Sequence, residues 1–529
     1  MATGTETEAV SGMGIDDGSL PERLAVIVIG AGFSGLAAAA RLREAGVDDF
    51  VVLERAERVG GTWRDAVYPG AEVDVPTWLY SLSFAPNPEW SKLNCSAPEI
   101  LAYIEDIVTR FGLTRHLRFG AEVVRAEFDE AAGLWVVTTA DGREFQARVM
   151  IAAEGVFSNP IYPDLPGLDD FQGDCILSAR WPQGYDVSGK RVAVVGTGAS
   201  AVQIVPELVR QAQYVSVFQR TPAWVLPRLN CEIPQWLKRV QRRFPTVQKV
   251  LRGLLFLGFE VLVIGSIRIS PLTTAVEGAS RRHLRSQVKD PELREQLTPA
   301  HRIGCKRPVL TNTFYPALQQ RNCVLVPHAV VAITERGVQA ADGSEHDVDC
   351  IVFATGYDVR GRGTSFQVVG KDGRVLGDEW ARGMVGYKSV QVSGYPNFFC
   401  LLGPNSFGHT SLLLFIEEQV GYAVRAVKEM RRLNLRELDV RAEVQDAHNR
   451  MLQCKLTKSV FASGCRSWYV TDDGFVGTAY PGTVSAYRRQ MAEVCLADYV
   501  MVTGEPHEIR GLDAPAMNVK PHGDYARKP

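Results

Sequence analysis

The stretch VIVIGAGFSG at residues 26–35 decides the fold. It is a short run of β-branched residues, then Gly30-x-Gly32-x-x-Gly35, then a helix pattern rich in Ala and Leu. A strand feeding such a turn aims backbone N–H groups and a helix N-terminus at a pyrophosphate. Glycine is required where the turn is tight and the backbone approaches the ligand closely. The turn recurs as AVVGTGASA at 193–201, with Gly196 and Gly198 in the first two slots and Ala201 in the third. One such motif is a weak signal. Two, each between a strand pattern and a helix pattern, predict two dinucleotide sites.

The copies differ where the ribose is read. The first is followed by VVLE, ending at Glu54, and the second by VSVFQR, ending at Arg220, at the same offset from Gly30 and Gly196. A carboxylate there accepts from free ribose hydroxyls, whereas a cation accommodates a 2′-phosphate. The first site therefore reads as FAD, held by Gly30, Gly32, Phe33, Ser34, Gly35 and Glu54. The second reads as NADPH, held by Gly196, Thr197, Gly198, Ser200, Ala201, Arg220 and Thr221. The expected fold class is α/β, with two Rossmann-like dinucleotide-binding domains. The NADPH domain is inserted in a discontinuous FAD domain and carries a helical insertion.

Composition narrows the function classes. The 529 residues are 46% hydrophobic and 22% charged, with a net charge of −2. That is ordinary for a globular chain and points away from nucleic acid. The ten Cys include no CxxC pair, so reduced thiols are expected, and the nine His show no metal-ligand spacing. Residues 1–22 carry acids but no Lys or Arg and no long apolar run, unlike a secretory signal. The expected location is cytoplasmic. The most apolar run, 253–267, contains Glu260 and lies between Arg252 and Arg268. It reads first as a buried or interface helix, and second as a membrane-surface patch near the substrate entrance.

Along the chain, residues 1–22 read as a disordered tail, 23–160 as the first part of the FAD domain and 161–349 as the NADPH domain. A helical insertion is expected at about 228–300, the second part of the FAD domain at 350–500 and a C-terminal tail at 501–529. A helix is predicted over 97–111 and strands over 121–128, 134–139, 147–153, 323–326 and 331–339. Segment 154–190, rich in Pro, Gly and Asp, reads as a linker. DCIVFATGYD at 349–358 reads as the strand that carries the chain back to the first domain.

Several further stretches resemble the class B flavin monooxygenases, and within them the type I Baeyer–Villiger monooxygenases. The resemblance covers about residues 24–490. It rests on Gly61-x-Trp63 followed by Tyr68-Pro69-Gly70 and Asp74, on FQGDCILSARWP at 171–182 and on Ala354-Thr355-Gly356-Tyr357. GCKRP at 304–308, LLGPNSFGHTS at 401–411 and CRSWYV at 465–470 complete it. The resemblance implies FAD, NADPH, O2 and a hydrophobic ketone substrate that becomes an ester or lactone. It implies that Arg307 is the catalytic cation and Asp74 its orienting partner. Gly61, Thr62, Trp63, Tyr68, Asp74 and Tyr80 would border the flavin. Lys306 would clamp the 2′-phosphate with Arg220 and Thr221, while Arg307 and Trp181 would contact NADP. His409 is a further candidate beside the flavin. One position departs from the pattern: the family carries His four residues before the Trp of 171–182, and here it is Leu177. Leu neither hydrogen-bonds nor titrates, so any such role is lost or passes to Ser178.

Other functions share parts of this pattern. A flavin monooxygenase acting on sulfur, nitrogen or a C=C bond needs both dinucleotide units, but no cation to stabilise an oxyanion. A pyridine nucleotide–disulfide reductase needs a redox-active Cys pair after the first helix, and none occurs. A degenerate flavin-binding scaffold would not require the glycines, Glu54, Arg220 and Arg307 together. Metal, oligomeric state and substrate identity have no signature in the chain.

Overall fold

The structure, a computed structural model, describes residues 23–504 apart from 268, 360–363, 409, 465–466 and the side chain of residue 266. The expected N-terminal tail, residues 505–529 and His409 lie outside the described residues. Strand Leu24–Ile29 is wholly buried and runs parallel to Phe50–Leu53 and Glu144–Ala152, with Val28 opposite Val52 and Ile151. Buried on both faces, such strands read as continuous apolar runs rather than alternating ones. Helix Phe33–Glu44 covers one face through Ala37, Ala38, Ala39 and Ala40, whose small side chains allow close approach. The sheet is extended by an antiparallel hairpin, Leu134–Thr139 with Glu144–Ala152, and then by Val123–Asp129. Gln367–Val369 pairs with Val123–Asp129, and Phe398–Cys400 with Glu144–Ala152, so a later stretch of chain returns to this sheet.

The second sheet has five parallel strands in the order Cys323–Val326, Tyr214–Phe218, Arg191–Val195, Cys350–Phe353, Asp174–Leu177. Four sequence expectations change in the structure. Cys350–Phe353 does not open the return to the first sheet; it sits inside the second, with Cys350 opposite Val192 and Asp174. The boundary drawn at 349/350 therefore cuts a sheet, and the crossing follows Phe353. An apolar run fits either sheet, and only pairing decides between them. Within 154–190, Asp174–Leu177 is an edge strand rather than linker. Strand Tyr499–Thr503 pairs antiparallel with Leu435–Val440 and so crosses the boundary drawn at 500/501. The stretch 331–339 is a hairpin, Val330–Thr334 with Gly337–Ala340.

The helical insertion comprises Gln235–Arg243, Pro245–Ile267, Pro271–Gln287 and Pro291–Gln296. The last three begin with Pro, whose missing N–H costs nothing at the first helical position. Ser270 and Thr273 cap the third reciprocally, and Asp290 caps the fourth. Eight described cysteines are free, but Cys305 is disulfide-bonded, against the expectation of reduced thiols throughout.

Candidate active site

Both glycine turns open into one cavity of about 1790 Å³. Pockets for a single small ligand run to roughly 300–1,000 Å³, so this one has room for more than one group. Gly30 has φ +103°, and a Cβ there would lie 2.7 Å from the Ala153 carbonyl oxygen. A Cβ on Gly35 would lie 1.8 Å from the Gly30 carbonyl oxygen, so this glycine serves helix–strand packing and does not line the cavity. Gly196 has φ +117°, and a Cβ there would lie 2.7 Å from the Ala354 carbonyl oxygen. Above Gly198 the space is open: a Cβ would meet nothing within 4 Å. No side chain caps helix Phe33–Glu44 or helix Ala199–Gln211. These are two bare helix N-termini behind glycine cradles, the donor set that pyrophosphate requires. FAD and NADPH each carry a pyrophosphate that fits such a donor set.

Around the first turn, Glu54 is buried and its Oε2 accepts from the Ala31 N–H at 2.8 Å. Its Oε1 accepts from Ala56 N–H at 3.0 Å and from Arg64 Nη1 at 2.9 Å. Arg64 escaped the sequence reading; it aligns Glu54 and also pairs with Asp65. Phe33, Trp63 and Tyr80 form an aromatic cluster in the cavity wall. Trp63 Nε1 donates to the Tyr80 hydroxyl at 3.0 Å, and the Phe33 and Tyr80 rings meet edge to face at 5.7 Å. Ser34, Gly61 and Thr62 line the same wall. Glu154, also missed, lines the cavity. Its Oε2 accepts from Ser365 N–H at 2.9 Å, and burial raises its pKa.

The loop 60–76 bridges the two units. Tyr68 donates to Gln203 Oε1 at 3.0 Å, and Gln203 Nε2 donates to the Glu72 carbonyl at 2.9 Å. Arg228 Nη1 pairs with Glu72 at 2.8 Å, and its Nη2 donates to the Val73 carbonyl at 2.6 Å. This clamp delivers Asp74 to Arg307, whose Nη2 donates to Asp74 Oδ2 at 2.7 Å across a separation in sequence that no local pattern reveals. Asp74 is the main cause that raises the Arg307 pKa. Arg307 follows a turn anchored by the buried Glu277, which pairs with Arg302 at 3.0 Å and accepts from the Ile303 N–H at 3.2 Å. Tyr469 stands close enough for the Arg307 charge to act on it, yet burial pushes its hydroxyl up to about 12.

Around the second turn, Gly196, Thr197, Gly198, Ser200, Arg220, Thr221 and Lys306 all line the cavity. Thr197 Oγ1 donates to the Thr221 carbonyl at 3.3 Å. Burial lowers the Lys306 pKa first, and the neighbouring Arg220 charge lowers it further. Neither cation has an acidic partner among the described residues. Two unpaired cations that repel each other make a seat for a dianion.

Three expected contacts do not reach the cavity. Ala201 is buried in the core under the second sheet, the same packing role as Gly35. Trp181 is also buried in that core and meets Tyr185 edge to face at 6.4 Å. An aromatic in a linker docks into whichever core is nearest, and the sequence does not say which. Leu177 packs with Phe218, Ile333, Val338, Ile351 and Phe353 at the end of its strand, so this position is apolar core here. Of the aromatics in the later half of the chain, Phe366, Phe407 and Trp468 line the cavity, whereas Phe415, Tyr469 and Phe475 do not. Leu402, Leu412, Leu413, Ile416 and Phe461, which no motif marked, complete that apolar end.

Two dinucleotide cradles that open into one cavity, with an anchored guanidinium in its wall and an apolar end, define a flavoprotein oxygenase of the two-dinucleotide type. A family model described as pyridine nucleotide-disulphide oxidoreductase matches residues 27–249. A Baeyer–Villiger monooxygenase of Streptomyces coelicolor is 42% identical over 94% of this chain and 96% of its own length. One of Pseudomonas aeruginosa is 40% identical over 90% and 91%. The solved cyclohexanone monooxygenase of Rhodococcus sp. Phi1 bound to NADP+ superposes with TM-score 0.82 at 28% identity. It covers 91% of this chain and 99% of its own. The chain belongs to the Baeyer–Villiger monooxygenase family of class B flavin monooxygenases. It is an FAD-containing, NADPH-dependent monooxygenase that carries out Baeyer–Villiger oxidation.

Proposed function

We propose that this enzyme oxidises apolar ketones to esters or lactones, consuming NADPH and O2 and releasing NADP+ and water. The observation that carries the reading is the Arg307–Asp74 ion pair, placed in the wall of the cavity that both glycine turns share. The unit around Gly30 would hold FAD and the unit around Gly196 would hold NADPH. When bound, the nicotinamide supplies a hydride and the flavin ring activates O2.

The residues of the chain do the rest. As the new C–O bond forms at the ketone carbon, negative charge gathers on the carbonyl oxygen. A fixed donor aimed at that charge contributes about 3 kcal/mol or more to transition-state stabilisation. Arg307 suits this role because its guanidinium stays charged at any working pH and Asp74 holds its orientation. Arg220 and Lys306 would take the 2′-phosphate, selecting NADPH over NADH. The apolar end made by Phe407, Phe461, Trp468 and Leu412 favours an apolar ketone and excludes water. Heteroatom oxidation would leave the anchored cation without a task.

The test is rapid mixing of the NADPH-reduced enzyme with oxygenated buffer, followed by flavin absorbance and product analysis over a panel of ketones. Ester or lactone formed in step with NADPH consumed supports the reading. Peroxide released in step with NADPH, with every ketone returned intact, overturns it.

A further inference from the structure

Helix Pro245–Ile267 is two-sided in burial rather than in polarity. On its inner side Val263 and Ile267 join an apolar cluster with Phe407 and Phe461, which line the cavity. Phe259 and Leu262 close a small void behind Arg307. On its outer side Val250, Leu254, Leu257, Val261 and Ile264 are 61, 63, 63, 51 and 41% exposed. Their spacing of four and three places all five on one helical face. Single exposed apolar residues are normal, but a continuous row marks a contact surface. The row extends toward Phe244 and the preceding helix, where Trp236 is 62% exposed.

Within this segment the exposed charge has one sign. Between Gln235 and Val288 the only acids are Glu260 and Glu277. Both are buried and engaged: Glu260 accepts from the N–H groups of Val484 and Ser485, and Glu277 holds Arg302. Arg239 and Arg243 share a helical face with Trp236, and Lys249 flanks the row. All three are exposed and have no acidic partner among the described residues, whereas Arg242 pairs with Glu89 at 3.1 Å and Arg252 with Glu417 at 3.4 Å. Among the described residues no helix is long and apolar enough to cross a membrane.

We propose that this outer face docks peripherally on an anionic phospholipid surface, with the aliphatic row entering the acyl boundary and the cations at its N-terminal end meeting headgroup phosphates. Interfacial helices combine these two features, and each surface cation contributes about 1 kcal/mol of attraction to an anionic leaflet. A second copy of the chain would bring no exposed negative charge from this segment, whereas anionic lipid supplies it. Because the same helix backs Arg307 and the aromatic end of the cavity, docking sets the apolar end of the site beside a reservoir of apolar ketones. This last consequence rests on the function proposed above; the docking itself does not.

The test is flotation of the FAD-loaded enzyme, without ketone, with vesicles of phosphatidylcholine alone or mixed with phosphatidylglycerol. Binding is expected to the mixed vesicles and to weaken as salt rises. It should fall by about tenfold or more in Leu254→Glu/Leu257→Glu, and also in Arg239→Gln/Arg243→Gln. NADPH oxidation at the wild-type rate reports that the variants fold, and Leu254→Gln/Leu257→Gln replaces the first pair if it does not. Absence of binding to mixed vesicles overturns the proposal. So does a dimer in sedimentation velocity that Leu254→Glu/Leu257→Glu dissociates, since a second copy would then cover the face.

Discussion

Replacing Asp74 by Asn removes the charge that holds Arg307 while keeping the size of the side chain and an acceptor oxygen. In the wild type the guanidinium donates to Asp74 at 2.7 Å, and the two side chains are 29 and 24% exposed. That is buried enough for the pair to escape most of the screening that weakens surface ion pairs. The guanidinium stays charged, so Asn still accepts a charge-assisted bond; what is lost is the attraction of the second charge, about 1 kcal/mol in water and more where the pair is shielded from it. Taken as about 1–2 kcal/mol, that corresponds to a loss of about 5–30-fold if the orientation of Arg307 matters to the transition state. The assay follows ester by chromatography and flavin reduction by stopped-flow absorbance in the same preparation. Asp74→Asn should lower ester formation by that factor and leave the rate of flavin reduction by NADPH unchanged. Ester formation at the wild-type rate would refute the reasoning. So would a parallel fall in flavin reduction, because Asp74 would then be holding the loop rather than the cation.

Arg220→Ala should raise the KM for NADPH by about 10–100-fold, the loss of a charge-assisted phosphate bond, while the KM for NADH stays put; equal effects would remove Arg220 from 2′-phosphate recognition. Gly35→Ala forces a Cβ to 1.8 Å from a backbone oxygen, so purified protein should carry little or no FAD, and full flavin content would show that the turn can shift. Leu177→His buries an imidazole among Phe218, Ile351 and Phe353. It should destabilise the protein by about 1–3 kcal/mol and leave the ratio of product to NADPH unchanged; better coupling at an unchanged melting temperature would show that the position serves the cofactor after all. Burial, then Lys388 and Lys455, holds the pKa of His448 down to about 4. The unfolded chain, with an ordinary histidine pKa near 6.5, takes up the proton first. Stability is therefore lost as pH falls from about 6.5 to 4, by up to about 3 kcal/mol from this group. His448→Gln should flatten the pH dependence of the melting temperature in that window, and an unaltered slope would assign it to other groups.

The glycine turns were legible because a tight phosphate-binding bend imposes residue types on neighbouring positions, and the structure gives Gly30 and Gly196 the positive φ that such a bend requires. The apolar run Cys350–Phe353 was assigned to the wrong sheet because nothing within it names its neighbours. Arg64 and Glu154 were missed for a related reason: each has its role through a partner placed by the chain path, not by spacing.

The sequence by itself determined the two glycine turns, the opposite charges of Glu54 and Arg220 at the same offset from them, and the family. All of these depend on residue types within a few positions of one another. Tertiary structure alone decided that Arg307 meets Asp74, that Arg220 and Lys306 face one spot, that Trp181 and Leu177 are core, and that one side of helix Pro245–Ile267 stays bare. Each of these is set by the packing of segments far apart in the chain, where side-chain chemistry limits what a contact can be but not which contacts form.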